Sequence, residues 1–125
     1  NPRTLDWLKP SYDLGYNVIT MDEFRHKGLT EVIKESLEKL GDNPIYITFD
    51  LDSLDSSIAP AVSNIEPSFA GFTMEEAKSL IQSVKNKNVI GGDVVCLMPT
   101  KDSPNNITAM VAASMMFEII SVIAY

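Results

Sequence analysis

Three carboxylates crowd one short stretch of this chain, Asp50-Leu51-Asp52-Ser53-Leu54-Asp55. Hard divalent cations, and borderline ones such as Mn²⁺, take carboxylate oxygens as ligands. Asp50 and Asp52 stand two positions apart, so their side chains could converge on one such ion. The residues before them, Ile45-Tyr46-Ile47-Thr48-Phe49, are apolar, β-branched or aromatic and read as a buried strand. In open parallel sheets, ligands gather just beyond the carboxyl ends of the strands. Asp50 and Asp52 are therefore candidate metal ligands. The plainer alternative is that the same carboxylates cap a loop or helix, as aspartates commonly do.

Further elements must hold that strand in place. Thr4 to Lys9 reads as a short helical piece ended by Pro10. Tyr16 to Met21 reads as a strand, and the acidic pair Asp22-Glu23 as a solvated turn. Thr30 offers an N-cap for a helix carrying Val32, Ile33, Leu37 and Leu40, with Gly41 as its stop. Asp50 to Phe72 has no regular period and is punctuated by Pro60 and Pro67. A loop of that length in a compact domain is usually functional or disordered, and the carboxylates at its start favour function. Thr73-Met74-Glu75-Glu76 is a capping box, continued as a helix by Ala77, Leu80, Ile81 and Val84. Val89 to Leu97 reads as a third strand, interrupted by Gly91 and Gly92. Ser103-Pro104 fits the start of the last helix. The alternation predicts an α/β fold with parallel strands, right-handed crossovers and helices on both faces. A lone three-stranded sheet would leave a long open edge, so the piece is expected to continue a larger sheet.

Composition narrows the function. The chain has 125 residues, 45% of them apolar, which suits one globular α/β domain. A net charge of −7 argues against a nucleic-acid-binding surface. The single cysteine, Cys96, allows no internal disulfide and fits a reducing compartment, cytoplasmic first and mitochondrial second. Nothing near it signals a reactive thiol, so it reads as a small packed side chain. The opening residues, Asn1-Pro2-Arg3-Thr4, are polar and show no leader. The lack of an initiator Met points to a piece of a longer chain. Ile107 to Tyr125 is the most apolar run, yet it holds Ser114, Glu118 and Ser121 and reads as a packed helix rather than a membrane span. Met110, Met115, Met116 and Phe117 on it are expected in the core or at a subunit contact, and Trp7 and Tyr12 in either setting. Asp93 lies inside an apolar strand and must be hydrogen-bonded there, a structural role. His26, the only histidine, reads as a solvated surface residue.

Taken together, Phe49-Asp50-Leu51-Asp52-Ser53-Leu54-Asp55 and Ala59-Pro60 resemble the second metal-binding motif of the ureohydrolases. That family includes arginase, agmatinase, guanidino-acid hydrolases and formimidoylglutamase. The similarity continues through Glu66-Pro67, Gly71-Phe72-Thr73, Glu76-Ala77, Gly92-Asp93-Val94-Val95, Pro99, Asp102 and Thr108-Ala109. Val18-Ile19-Thr20-Met21-Asp22-Glu23 looks agmatinase-like. The resemblance implies a three-layer αβα sandwich of which this chain, as one domain, covers the C-terminal half. It also implies a binuclear manganese centre that activates water against a guanidinium or formimino carbon, releasing urea or a similar product. Trimeric or hexameric assembly is common in the family. By motif match Asp50 and Asp52 would ligate metal. Asp55 matches no ligand position and would stabilise the loop.

The chain departs from the family pattern in several places. Its histidine-bearing metal motifs are absent here. Cys96 stands where the family places a glutamate that pairs with the substrate guanidinium, and a neutral thiol cannot give that bidentate, charge-assisted contact. Ala61 and Ser63 replace loop glycines, and Ser56 a common proline. No catalytic residue is assigned, and the chain alone is expected to hydrolyse little or nothing. Two readings of the parent protein stay open: a hydrolase with altered substrate preference, or a non-catalytic assembly module. A third, a haloacid-dehalogenase-like phosphatase, also starts from an apolar strand ending in two such aspartates, but there a Thr or Val is usual where Leu54 stands. An EF-hand is excluded, because the loop's glycine position holds Asp55 and its final bidentate position Ala61.

Overall fold

Two parallel strands, β1 (Ile45–Asp50) and β2 (Val89–Val95), form the sheet in the computed structural model, which describes residues 7–67 and 70–125. Around them stand α1 (Lys9–Asp13), α2 (Met21–Lys27), α3 (Leu29–Leu40), α4 (Met74–Gln82) and α5 (Ile107–Ala124). Short 3₁₀ turns follow each strand, at Leu51–Ser53 and Pro99–Lys101. In register, Tyr46 faces Gly91, Thr48 faces Asp93 and Asp50 faces Val95. Gly91 and Gly92 do not interrupt β2. They let neighbours come close: a Cβ on Gly92 would lie 2.7 Å from Ile119 Cγ2 and 2.7 Å from the Ile47 carbonyl oxygen.

The core lies on one face of this sheet. Ile45 and Phe49 of β1 pack with Ala77 and Ile81 of α4 and with Val111, Met115, Ile119 and Val122 of α5. By length and composition α5 could cross a membrane, yet five of its residues are buried, Thr108 among them. Met115 is in the core, whereas Met110 and Phe117 stand on the outer side of α5, exposed by 60% and 67%. The opposite sheet face carries Tyr46, Thr48, Asp50, Gly91, Asp93 and Val95, and none of them is buried. Asp93 is half-buried there. Its carboxylate accepts the Tyr46 hydroxyl at 2.9 Å and the Thr48 hydroxyl at 2.6 Å. Trp7 and Tyr12 are exposed.

Several expectations are corrected. Tyr16 to Met21 is not a strand: Met21 opens α2, and Thr20 caps it. The Thr20 hydroxyl accepts the Glu23 amide while the Glu23 carboxylate accepts the Thr20 amide at 2.8 Å. Asp22-Glu23 is thus the first helical turn, and the β-branched run before it only feeds a capping box. Pro10 does not end a helix but lies in the first turn of α1, where its missing N–H costs nothing. The start of that expected piece, Thr4 to Asp6, lies outside the described residues. The α3 helix starts behind Gly28, with Thr30 inside its first turn. The strand expected at Tyr16 to Met21 is therefore missing from the sheet, which among the described residues has two strands and leaves one edge of β1 unpaired.

The last helix starts later than expected, behind Asn106, with Ser103-Pro104 in the loop before it. Ser103 does reach the helix end, its hydroxyl accepting the Ile107 amide at 3.5 Å, but closer bonds come from one residue further back. The Asp102 carboxylate accepts the amides of Thr108 at 3.1 Å and Ala109 at 2.9 Å. Burial pushes this carboxyl up, but the Ala109, Thr108 and Ser103 amides outweigh it and hold it below the ordinary 3.8. A carboxyl depressed on folding stabilises the fold above its unfolded pKa and loses that contribution as pH falls through the folded one. Asp102→Asn is therefore expected to lower the thermal midpoint at neutral pH. The gap to the parent chain should narrow below about pH 4 in parallel melting curves.

Candidate metal centre

The chain turns sharply where β1 ends. Asp50 is still extended, and its Oδ1 accepts the Asp52 amide at 2.9 Å. The Ser53 hydroxyl donates to the Asp50 carbonyl at 2.6 Å. Leu51, fully buried, and Leu54, 3% exposed, anchor the turn in the core. Asp50 thus does cap the turn, and the cap folds Asp52 back beside it.

The returning loop is strapped across this turn. Leu54 and Phe72 form a parallel bridge, with the Asp55 amide on the Phe72 carbonyl at 3.0 Å and the Phe72 amide on the Ser53 carbonyl at 2.9 Å. Arg25 holds the strap from α2. Its guanidinium donates to the Glu76 carboxylate and to the carbonyls of Gly71 (2.8 Å) and Ala70 (3.1 Å). Phe24 meets Phe72 edge to face, with 5.0 Å between centroids. The Arg25 hydrogen bond holds the Glu76 carboxyl below its ordinary value, although burial opposes it. No local pattern marks Arg25 in the sequence, because its partners lie 45 to 51 residues away.

At the end of β2, Cys96 takes φ = 71°, a left-handed conformation rare for a residue with a side chain. Beyond it the Met98 amide bonds the Ala61 carbonyl at 2.9 Å, and Val62 pairs antiparallel with Leu97. Ala61 is buried, and its amide donates to the Thr108 hydroxyl at 3.1 Å. The result turns the thiol toward the end of β1. One ligand atom each from Asp50, Asp52 and Cys96 lies within 4.8 Å of the others. Asp50 is exposed; Asp52 and Cys96 are half-buried.

Charge is uncompensated here. Among the described residues neither Asp50 nor Asp52 is in an ion pair. Burial raises the Asp52 carboxyl above its ordinary value, and the Asp50 charge adds to it, against the Asn64 amide. Asp52 Oδ1 is buried with no hydrogen-bond partner among the described residues. A hydrogen bond to Asp50 pushes the Cys96 thiol up, opposed by Ser63. Two carboxylates, one with a buried oxygen that lacks a donor, and a sulfur are a donor set that fits a divalent cation. A cavity of about 400 Å³ opens beside them, lined by Asp50, Asp52, Asn64 and Glu66 and by Ile19, Met21 and Phe72. A larger groove, about 510 Å³ and mostly apolar, runs along β1 between α3 and α4.

The other singled-out residues stand apart from this cluster. Asp55 accepts the Ser57 amide at 3.0 Å and the Ser57 hydroxyl, which holds its carboxyl below the ordinary range. His26 is exposed in the last turn of α2. Cys96, read from the sequence as a small packed thiol at the guanidinium-binding position, is half-buried and has both aspartates of the cluster beside it. The signal was available in the topology: adjacent parallel strands end on the same side, so residues just past them meet.

A model of the arginase family matches residues 4–121. The mitochondrial agmatinase of Gallus gallus is 35% identical over 115 residues, 92% of this chain and 33% of that protein. The chain thus spans about a third of the length of the curated relatives it matches. Proclavaminate amidino hydrolase from Streptomyces clavuligerus superimposes with a TM-score of 0.84 at 28% identity, over 97% of this chain and 39% of that one. Arginase from Medicago truncatula does so with a TM-score of 0.77 at 26% identity, over 98% and 37%. The two strands and their helices are thus part of a three-layer α/β fold of the arginase type. On the match through residues 4–121, the chain belongs to the arginase family.

Proposed function

We propose that this chain supplies one carboxylate wall of a metal centre in a hydrolase of non-peptide C–N bonds in linear amidines, the class of substrate that names such as agmatinase and amidino hydrolase denote. The observation that carries the reading is the convergence of Asp50 and Asp52, with a buried Asp52 oxygen left without a partner. Manganese, which the family resemblance implies, would activate water for attack on the guanidinium carbon. The chain's own residues do the positioning. Asp50 and Asp52 hold the cation, the strap through Phe72 and Arg25 fixes their turn, and Asp55 and Asp93 serve the structure around them. The cavity edged by Glu66 and Asn64 suits a cationic, hydrogen-bonding substrate. Cys96, at the position of the family's guanidinium-binding glutamate, points to a changed substrate preference.

The family match takes the place of the phosphatase reading. A non-catalytic assembly role is the second reading, favoured by a cluster that contains no imidazole among the described residues. The free edge of β1 and the uncovered Tyr46–Thr48 face support association with further sheet, from the same chain or a second copy. A reducing compartment, cytoplasm or mitochondrion, suits the free thiol.

Titration calorimetry of the 125-residue chain is expected to show Mn²⁺ binding that Asp50→Ala weakens by at least about tenfold. The same chain is expected to release no urea from agmatine. Urea release would overturn its assignment as one wall only, and ion binding indifferent to Asp50 would overturn the metal reading.

A further inference from the structure

We propose that Cys96 is itself a metal ligand, and that Asp50, Asp52 and Cys96 select a thiophilic divalent ion of the zinc or cobalt class over manganese. The inference rests on the reading of Asp50 and Asp52 as ligands and adds the sulfur and the choice of ion. Zinc–sulfur and zinc–oxygen bonds of about 2.3 and 2.0–2.2 Å hold ligand atoms roughly 3–4 Å apart. Three atoms already within 4.8 Å of one another reach that spacing by small side-chain rotations. Two anchors hold the sulfur there: the end of β2 on one side, and the Met98 amide on the Ala61 carbonyl on the other. The partnerless Asp52 oxygen lacks a positive or hydrogen-bonding neighbour, which a cation would supply.

The donor set decides the ion. Manganese favours carboxylate, carbonyl and water, while a thiolate shifts preference toward zinc and its neighbours. Among the described residues the sulfur is the one soft donor in the cluster. Asp50 and Asp52 also line the cavity beside the cluster, so an ion held there would be within reach of a bound molecule. On binding, the S–H bond breaks, its proton passes to solvent and a metal–sulfur bond forms. No oxidation or reduction is involved.

Cobalt(II) titration of the full chain, followed by absorption, tests this. A thiolate-to-cobalt charge-transfer band in the near ultraviolet is expected alongside the visible ligand-field bands. Cys96→Ser should remove the former and weaken Co²⁺ and Zn²⁺ binding by at least about tenfold, with Mn²⁺ binding nearly unchanged. Circular dichroism checks that the variant folds. Should it not fold, alkylation of Cys96 in the unaltered chain replaces it, and Zn²⁺ but not Mn²⁺ is expected to slow that reaction. Ligand-field bands without charge transfer, abolished by Asp50→Ala, would overturn the role of Cys96 and leave the carboxylate reading standing. No cobalt binding at all would overturn both.

Discussion

Asp52→Asn is expected to weaken divalent-ion binding by about 100-fold and, in the same molecule, to raise the melting temperature measured in chelator. The two effects have one cause. Asp52 is half-buried beside the Asp50 carboxylate, and its Oδ1 has no donor. A carboxylate in that position suffers both loss of hydration and like-charge repulsion. A carboxamide of the same shape carries no charge and removes the repulsion, with a gain on the order of 1 kcal/mol, as when other strained functional positions are relieved. The ion loses one of the two anionic oxygens that hold it, so affinity should fall by about 100-fold. With a saturating ion the order reverses, because binding stabilises only the parent chain. Calorimetry with Zn²⁺ and melting curves with and without chelator measure both. A lower midpoint for the variant in chelator would show that Asp52 stabilises the turn rather than burdening it.

Gly71→Ala is expected to cost about 3 kcal/mol, at the upper end for overpacking, and to weaken ion binding without touching a ligand. An added Cβ would lie 2.5 Å from the Leu54 carbonyl carbon, 2.6 Å from the Asp55 nitrogen and 2.7 Å from the Leu54 oxygen. All three are backbone atoms in the Leu54–Phe72 bridge, so no side chain can swing aside. The strap must lift, which breaks the Asp55–Phe72 and Phe72–Ser53 hydrogen bonds and frees the turn that carries Asp50 and Asp52. Urea unfolding gives the stability change, and a loss under about 0.5 kcal/mol, the usual limit for innocuous surface changes, would contradict this account.

What could be read from the sequence was local. The run Ile45 to Phe49 and the box Thr73-x-x-Glu76 carry their signals within a few residues, and both elements stand where expected. Gly41 ends its helix for the same reason, its amide bonding the Leu37 carbonyl. The misreadings share one origin. Tyr16 to Thr20 has strand-forming residues but no strand beside it, and extended chain becomes a strand only through pairing. Ser103 meets only the first amide of α5, while the carboxylate that takes the next two belongs to Asp102, six and seven residues before them. In the centre, the aspartate pair was legible because two residues of spacing suffice to place it. Cys96 was not, because it meets Asp50 only after β1 and β2 have paired across more than forty residues of chain.

Tyr46 and Thr48 both spend their hydroxyl protons on Asp93. The anion thus carries its own substitute for a hydration shell, supplied by the neighbouring strand. Another layer of protein laid over these residues would leave the aspartate these two donors, while its charge would still lose its water. The parallel pairing of β1 with β2 is what sets those donors beside the carboxylate.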